Sequence, residues 1–210
     1  MIDRILAKRI VPVVVLDHVE SAEPLAEALL AGGLDIMEIT FRTAAAEESI
    51  KRIAARFPEI LLGAGTLLDV DQVQRAKDAG ATFGLAPGLN PNIIAKAKEI
   101  GLQFSPGVMT PSDVEQALSL GCKLLKFFPA EAAGGTNMLK SLAGPYAHTG
   151  VKFIPTGGIT SANLASYLKL PIVAAIGGSW MVDKQLVNDG KWAEITRITK
   201  EALEAAAAAR

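Results

Sequence analysis

The sequence predicts a single-domain (β/α)8 TIM barrel of the α/β class, preceded by a short N-terminal helix. Three observations support this prediction. Short apolar runs and longer amphipathic runs alternate eight times along the chain. Each pair of runs occupies roughly 20 to 28 residues, the size of a compact strand-plus-helix unit. No linker or change of composition divides the chain, so one domain over residues 1–210 is expected.

The first elements illustrate how each unit is recognised. Residues 1–9 form an amphipathic segment that predicts a short helix, stable only when docked on the rest of the protein. Residues 11–16 are almost entirely apolar, which is typical of a parallel strand buried on both faces. The following helix begins near Ser21 and ends at Gly32-Gly33, since glycine commonly follows the last helical turn.

The remaining units repeat this order, with glycine or proline after most helices. The other predicted strands are 36–40, 61–65, 82–86, 103–106, 124–128, 152–155 and 172–176. The other predicted helices are 44–57, 70–79, 91–100, 111–120, 138–142, 161–168 and 191–208. Thr110 is the expected N-cap of the helix 111–120. A doubly wound open sheet is the alternative, but the first turn, Asp17-His18-Val19, lacks the glycine-rich signature of that fold.

Composition and charge exclude several classes of function. Half of the residues are hydrophobic, and the formal net charge is -1 without a basic run, which argues against nucleic acid or an anionic membrane surface as partner. No stretch approaches the roughly 18 apolar residues of a membrane helix, and residues 1–8 lack the apolar core of a signal peptide. A single cysteine, Cys122, cannot form an internal disulfide, so a cytoplasmic location is expected, with Cys122 as a core residue. His18 and His148 lack the spacing of metal ligands, and no metal is expected.

The sixth predicted strand contains one charged residue, Lys126, within an otherwise apolar run. Burial removes water from an ammonium group and favours the neutral amine. A neutral amine attacks carbonyl carbon, so Lys126 is a candidate for Schiff-base formation. The alternative is a lysine that extends along the strand and keeps its charged end in solvent.

Side-chain alternation places several polar residues on the inner face of the barrel. Glu38 has the opposite parity to its apolar neighbours in the second strand, so it should point inward, with Arg42 in phase at the strand exit. Lys126 faces the barrel axis by the same argument. Thr66 shares the parity of Ala64 in the third strand and should reach the mouth. A buried Glu38–Lys126 ion pair without chemistry is the alternative, although such pairs often stabilise little.

Two glycine-containing segments end the last two predicted strands, Pro155-Thr156-Gly157-Gly158 and Gly177-Gly178-Ser179. Loops at these two places in (β/α)8 barrels commonly bind phosphate through main-chain N–H groups. Either Gly-Gly pair alone is compatible with an ordinary turn. Their joint occurrence at both positions predicts a phosphorylated ligand.

Six motifs occur in order between residues 11 and 180. They are Glu38-Ile39-Thr40-Phe41-Arg42-Thr43, Gly63-Ala64-Gly65-Thr66, Pro87-Gly88-Leu89, Lys126-Phe127-Phe128-Pro129-Ala130-Glu131, Pro155-Thr156-Gly157-Gly158-Ile159 and Gly177-Gly178-Ser179-Trp180. Together they resemble the 2-dehydro-3-deoxy-6-phosphogluconate (KDPG) aldolase family, whose members often also act as 4-hydroxy-2-oxoglutarate aldolases. The resemblance implies a class I aldolase, a homotrimer of barrels without metal or other cofactor, acting in the Entner–Doudoroff route. Its implied ligands are a phosphorylated 2-keto-3-deoxy sugar acid, pyruvate and D-glyceraldehyde 3-phosphate.

The resemblance also implies roles for individual residues. Carried over by position, Lys126 would be the Schiff-base lysine and Glu38 the general acid/base, acting through a water. Arg42 and Thr66 would bind the pyruvate carboxylate.

Further implied roles concern the pocket walls and the phosphate. Pro87 and Phe128 would pack around the pyruvyl methyl group. The implied phosphate-binding residues are Thr156, Gly157, Gly158, Gly178 and Ser179. Thr156 favours the phosphogluconate type over the phosphogalactonate type, in which an aliphatic residue is expected. Ala86 replaces a serine that is often found before Pro87 in the family, and this departure affects the expected substrate preference rather than the reaction.

Two other functions remain compatible with the residues themselves. A sugar-phosphate isomerase or epimerase would use Glu38 as base and the same phosphate loops, and would not need a lysine inside the sixth strand. A non-catalytic trimer would bind phosphorylated acids without turning them over. Trapping of an imine on Lys126 distinguishes the aldolase from both.

Overall fold

The computed structural model describes residues 1–209, in which nine parallel strand segments occupy the eight strand positions of a barrel. The strands are β1 Ile10–Val14, β2 Ile36–Thr40, β3 Leu61–Gly65, β4 Phe83–Leu85, β5 Gln103–Ser105, β6 Gly107–Val108, β7 Leu124–Phe127, β8 Lys152–Pro155 and β9 Ile176–Gly178. The fifth predicted strand is divided into β5 and β6 at Pro106, which has no N–H group to donate to a neighbouring strand.

The hydrogen-bonded strands close into a ring. One sheet has the order β5-β4-β3-β2-β1-β9 and the other the order β6-β7-β8. Only Pro106 separates β5 from β6, and two parallel bridges, Phe153 with Val173 and Thr156 with Gly177, join β8 to the β9 segment. The predicted α/β barrel is therefore confirmed.

Helices follow the strands and cover the outside of the barrel. They are α1 Ile2–Lys8, α2 Ala22–Ala31, α3 Ala46–Arg56, α4 Val70–Asp78, α5 Pro91–Glu99, α6 Pro111–Ser119, α7 Gly135–Tyr146, α8 Leu164–Leu168, α9 Lys184–Asn188 and α10 Trp192–Ala208. The predicted N-terminal helix is confirmed as α1. Strands β7 and β8 are joined by an edge-to-face contact between Phe127 and Phe153, whose ring centroids lie 6.4 Å apart.

The eighth strand lies later than the sequence predicts. The prediction of 172–176 is wrong because Gly177 and Gly178 belong to the strand and not to the loop after it: they pair with β1 opposite Val11 and Pro12. A Cβ atom on Gly177 would lie 2.2 Å from Thr156 Oγ1, so a glycine is required for the two strands to meet.

Helix α8 begins at Leu164, three residues later than predicted, and larger differences concern α7 and α9. Helix α7 is longer than 138–142, because Leu139, Leu142 and Tyr146 place a buried stripe at helical spacing that continues past Pro145. Helix α9 is short and has no strong periodic signal. Its Asp183 N-cap accepts a hydrogen bond from the Gln185 N–H.

Thr110 caps α6 as predicted. Its hydroxyl accepts a hydrogen bond from the Asp113 N–H at 3.3 Å, and the Asp113 carboxylate accepts one from the Thr110 N–H at 2.8 Å. We expect Thr110→Ala to lower the free energy of unfolding by about 1 kcal/mol, measured by urea denaturation. Ser112→Ala, at an exposed position in the same first turn, is the matched control. Equal losses in both variants would contradict a capping role.

Candidate active site

Glu38 on β2 and Lys126 on β7 meet inside the barrel. Lys126 Nζ lies 3.1 Å from Glu38 Oε1, and the two residues are 4% and 1% exposed. The apolar neighbours of Lys126 in β7, Leu125 and Phe127, pack in the core, as the alternation predicts. Replacing buried ion pairs by apolar packing is often neutral or stabilising, so stability alone is a weak explanation for this pair.

Gly65 on β3 makes room for the Glu38 carboxylate. A Cβ atom at Gly65 would lie 1.7 Å from Glu38 Oε1, which excludes any other residue without movement of the carboxylate. Sequence reasoning missed this role. The available signal was a glycine inside a strand, which often marks a close approach of neighbouring groups.

Strand parity is the wrong reason for placing Thr66. The inward positions of β3 are Gly63 and Gly65, since their Cβ atoms would meet the Phe83 ring and Glu38. Ala64 has the opposite parity and is fully buried in the core. The strand ends at Gly65, and Thr66 has φ +24°, so the alternation stops before it. Thr66 is half-buried and lies at the exit of β3 because the chain turns there.

A cavity of about 170 Å³ opens at the exits of the strands beside the Glu38–Lys126 pair. Phe128 connects the two, because its ring centroid lies 6.0 Å from Lys126 Nζ and its side chain also lines the cavity. The cavity is lined by Val13, Arg42, Phe128, Thr156, Gly157, Gly158, Ile159, Gly177, Gly178 and Ser179. The structure therefore brings Arg42 and both predicted glycine loops to one place.

Pro87 lies on the other side of Phe128. Both residues line a second cavity of about 350 Å³, together with Pro129 and residues 107–109. Phe128 thus forms a wall shared by the two cavities. Pro87 is not part of the wall around the glycine loops.

The two glycine loops present donors suitable for an anion. Within residues 1–209, the main-chain N–H groups of Gly158 and Ser179 have no hydrogen-bond acceptor. Gly157 and Gly158 have φ of +102° and +77°, which residues with side chains rarely adopt, and both glycines line the cavity. The Thr156 hydroxyl is buried and donates to the Ile154 carbonyl at 3.3 Å.

The other residues singled out from the sequence do not line this cavity. His18 and His148 are exposed. Cys122 is half-buried, and burial raises the pKa of its thiol, in keeping with a packing residue. The described chain, residues 1–209, has no group of three or more His, Cys, Asp or Glu side chains arranged to hold a metal ion. The helices in that range are too short or too polar to span a bilayer.

Comparison with known proteins identifies the family. Residues 1–198 match the family model described as KDPG and KHG aldolase. The chain belongs to the KDPG and KHG aldolase family. The 2-dehydro-3-deoxy-phosphogluconate aldolase of Treponema pallidum is 46% identical over 196 residues, which cover 93% of this chain and 92% of that protein.

Solved structures of KDPG aldolases share the same fold. The enzyme from Legionella pneumophila, with pyruvate captured at low pH as a covalent carbinolamine intermediate, superimposes with a TM-score of 0.91 and 39% identity, covering 95% of this chain and 96% of that chain. The 2-keto-3-deoxy-6-phosphogluconate aldolase of Zymomonas mobilis ZM4, with 3-phosphoglycerate, gives a TM-score of 0.88 and 40% identity, covering 96% and 94%.

Proposed function

We propose that this chain is a class I aldolase that cleaves 2-dehydro-3-deoxy-6-phosphogluconate to pyruvate and D-glyceraldehyde 3-phosphate. It also cleaves 4-hydroxy-2-oxoglutarate to pyruvate and glyoxylate. The observation that carries the proposal is the buried Lys126–Glu38 contact of 3.1 Å beside a cavity that ends in two glycine loops. The carbinolamine trapped in the Legionella pneumophila relative supports the same chemistry here.

The first stage makes an imine on Lys126. A proton passes from the lysine to Glu38, which lies within hydrogen-bond distance, and the freed amine attacks the C2 ketone of the substrate. An N–C bond forms while the ketone oxygen takes the proton from Glu38, giving a carbinolamine with a protonated nitrogen. Glu38 then carries one of the nitrogen protons to the new hydroxyl group and is left as a carboxylate. Loss of water then gives a protonated imine, which is linked covalently to the enzyme.

The second stage breaks the C3–C4 bond. The cationic imine accepts the electron pair of that bond, while Glu38 takes the proton of the C4 hydroxyl through a water. The aldehyde leaves, and an enamine remains on Lys126. Protonation of the enamine at C3 followed by hydrolysis of the imine releases pyruvate and regenerates the amine, so no external oxidant or reductant is needed.

Substrate binding is assigned to residues that line the cavity or lie at the neighbouring strand exits. Arg42 and Thr66 bind the carboxylate of the pyruvyl unit, Arg42 as a charged donor whose side chain lines the cavity. Pro87 and Phe128, which line the second cavity together, are assigned to the packing around the methyl group. The phosphate binds at Thr156, Gly157, Gly158, Gly178 and Ser179. The unpaired N–H groups of Gly158 and Ser179 support this assignment.

The active form is proposed to be a cytoplasmic homotrimer in the Entner–Doudoroff route. Three large apolar side chains near the barrel mouth support self-association: Leu68, Val70 and Met109 are 56%, 46% and 42% exposed. Light scattering after gel filtration should give three times the chain mass of 22.0 kDa. A monomer mass at micromolar concentration would contradict the trimer.

Covalent trapping tests the proposed reaction. Incubation with pyruvate and sodium borohydride should give one pyruvyl adduct per chain by intact mass, and peptide mapping should place it on Lys126. Omission of borohydride or of pyruvate provides the controls. A protein that binds phosphate esters but forms no adduct would support the isomerase or the non-catalytic binding protein instead.

Gly65→Ala should disable the enzyme without unfolding it. The new methyl group would lie 1.7 Å from Glu38 Oε1 and force the carboxylate away from Lys126. We expect kcat to fall by about a hundredfold, because a misplaced acid/base group loses most of its effect. Steady-state kinetics and thermal unfolding measure the two effects. Gly144→Ala, on α7 with no atom within 4 Å of the new methyl group, is the matched control. Unchanged kcat in Gly65→Ala would contradict the placement of Glu38.

A further inference from the structure

A second hydrogen-bonded pair, Tyr167 and Glu131, lies behind the loop that follows β8. Tyr167 on α8 is 1% exposed, and its hydroxyl donates a hydrogen bond to Glu131 Oε1. Burial, assisted by this bond, raises the pKa of Tyr167 well above its usual value, so the hydroxyl remains a donor at neutral pH. Strand β7 ends at Phe127. Glu131 lies four residues after this end, in the same motif as Lys126. The mechanism above uses neither residue of the pair.

Glu131 is packed directly against the glycine loop. Its N–H donates to the Gly157 carbonyl at 3.1 Å, and the N–H of Ala130 donates to the Thr156 carbonyl at 2.8 Å. A Cβ atom on Gly158 would lie 2.7 Å from Glu131 Cγ and 2.8 Å from its Cβ. The glutamate side chain therefore forms the surface on which the Gly157-Gly158 backbone rests.

The same loop is held from its other end by Asn163. The Asn163 side chain donates to the Gly158 carbonyl at 3.0 Å and accepts from the Thr160 N–H at 2.8 Å. Gly158 is thus fixed between Asn163 and the side chain of Glu131. Among the described residues, Tyr167 is the only hydrogen-bond donor to the Glu131 carboxylate.

We propose that Glu131 and Tyr167 are positioning residues that hold the Gly157-Gly158 loop in its phosphate-binding conformation. They thereby determine the preference for a phosphorylated over an unphosphorylated substrate. This inference rests on the proposed function. Main-chain donors bind an anion well only when their directions are fixed beforehand, since an ordering cost is otherwise subtracted from the binding free energy.

Tyr167→Phe tests the inference with two substrates of one enzyme. We expect KM for 2-dehydro-3-deoxy-6-phosphogluconate to rise about tenfold, while kcat/KM for 4-hydroxy-2-oxoglutarate changes by less than about twofold. Formation of the pyruvate adduct on Lys126 should be unchanged. A role in general stability alone would lower activity on both substrates together, so the split between them is the decisive readout.

Matched variants complete the experiment. Tyr146→Phe removes a similar bond, from Tyr146 to Glu115 Oε1 at 2.9 Å, outside the site, and should leave both substrates unaffected. Glu131→Ala, at an exposed position, should also raise KM for the phosphorylated substrate alone, even where Tyr167→Phe fails to fold. Glu131→Gln keeps an accepting oxygen and should restore most of the phosphate preference.

Two results overturn the inference. One is an equal loss on both substrates in Tyr167→Phe and Glu131→Ala, and the other is no change on either. Failure of the proposed function gives a different result, because the unmodified enzyme would then form no adduct with pyruvate.

Discussion

Lys126→Met is expected to reduce kcat/KM for aldol cleavage by at least about a thousandfold, because the variant has no amine to form the imine. Methionine has a similar length and is apolar, so it fills the inner space of the barrel without adding a polar group. The remaining residues of the cavity still bind substrate. The lost free energy therefore appears in the chemical steps and only weakly in binding.

Three measurements separate loss of chemistry from loss of fold. Initial rates give kcat/KM, intact mass after pyruvate and borohydride gives the adduct, and circular dichroism with thermal unfolding reports the structure. The last is needed because removing one partner of a buried pair costs on the order of 3–5 kcal/mol when the other stays charged. Lys98→Met, at an exposed position on α5, is the control and should retain activity and adduct. A folded Lys126→Met protein that still cleaves substrate would end the imine mechanism.

The strands that carry Glu38 and Lys126 were predictable because local patterns determine them. Strand β2, which carries Glu38, has the predicted bounds 36–40, and β7, which carries Lys126, ends at Phe127, one residue before the predicted 124–128. In each, a mostly apolar run lies between turn residues. The inward direction of Glu38 and Lys126 follows from a period of two, and that period holds as long as the strand is regular.

The features that sequence reasoning missed depend on contacts between distant parts of the chain. The fit of Gly65 against Glu38 involves a second strand, and Tyr167 meets Glu131 from a helix that follows a different strand. Thr66 shows a related limit of local rules. Its positive φ departs from regular strand geometry, so the alternation of side chains does not extend to this residue. Barrel closure similarly makes Gly177 a strand residue, since its partner strand β1 is far away in the sequence. A sequence pattern within one segment cannot predict these contacts, because their partners lie in other segments.

Glu38→Gln is expected to lower kcat by about a hundredfold to ten-thousandfold, the usual contribution of a general acid/base. The amide has the shape of the carboxylate and keeps an oxygen that accepts a hydrogen bond from Lys126 Nζ, 3.1 Å away in the parent structure. It cannot accept a proton. Binding and the position of the lysine should therefore survive, and KM should change much less than kcat.

The order of the chemical steps decides what Glu38→Gln does to the trapped adduct. If Glu38 acts chiefly on the C4 hydroxyl, pyruvate and borohydride should still label Lys126, while single-turnover cleavage of the full substrate becomes slow. Glu20→Gln, at an exposed position before α2, is the control and should behave as the parent enzyme. Near-normal kcat in Glu38→Gln would remove the glutamate from the mechanism. If labelling by pyruvate and cleavage of the full substrate fall by the same factor, Glu38 acts mainly in imine formation. That stage, before the C3–C4 bond breaks, is the only one that the two reactions share.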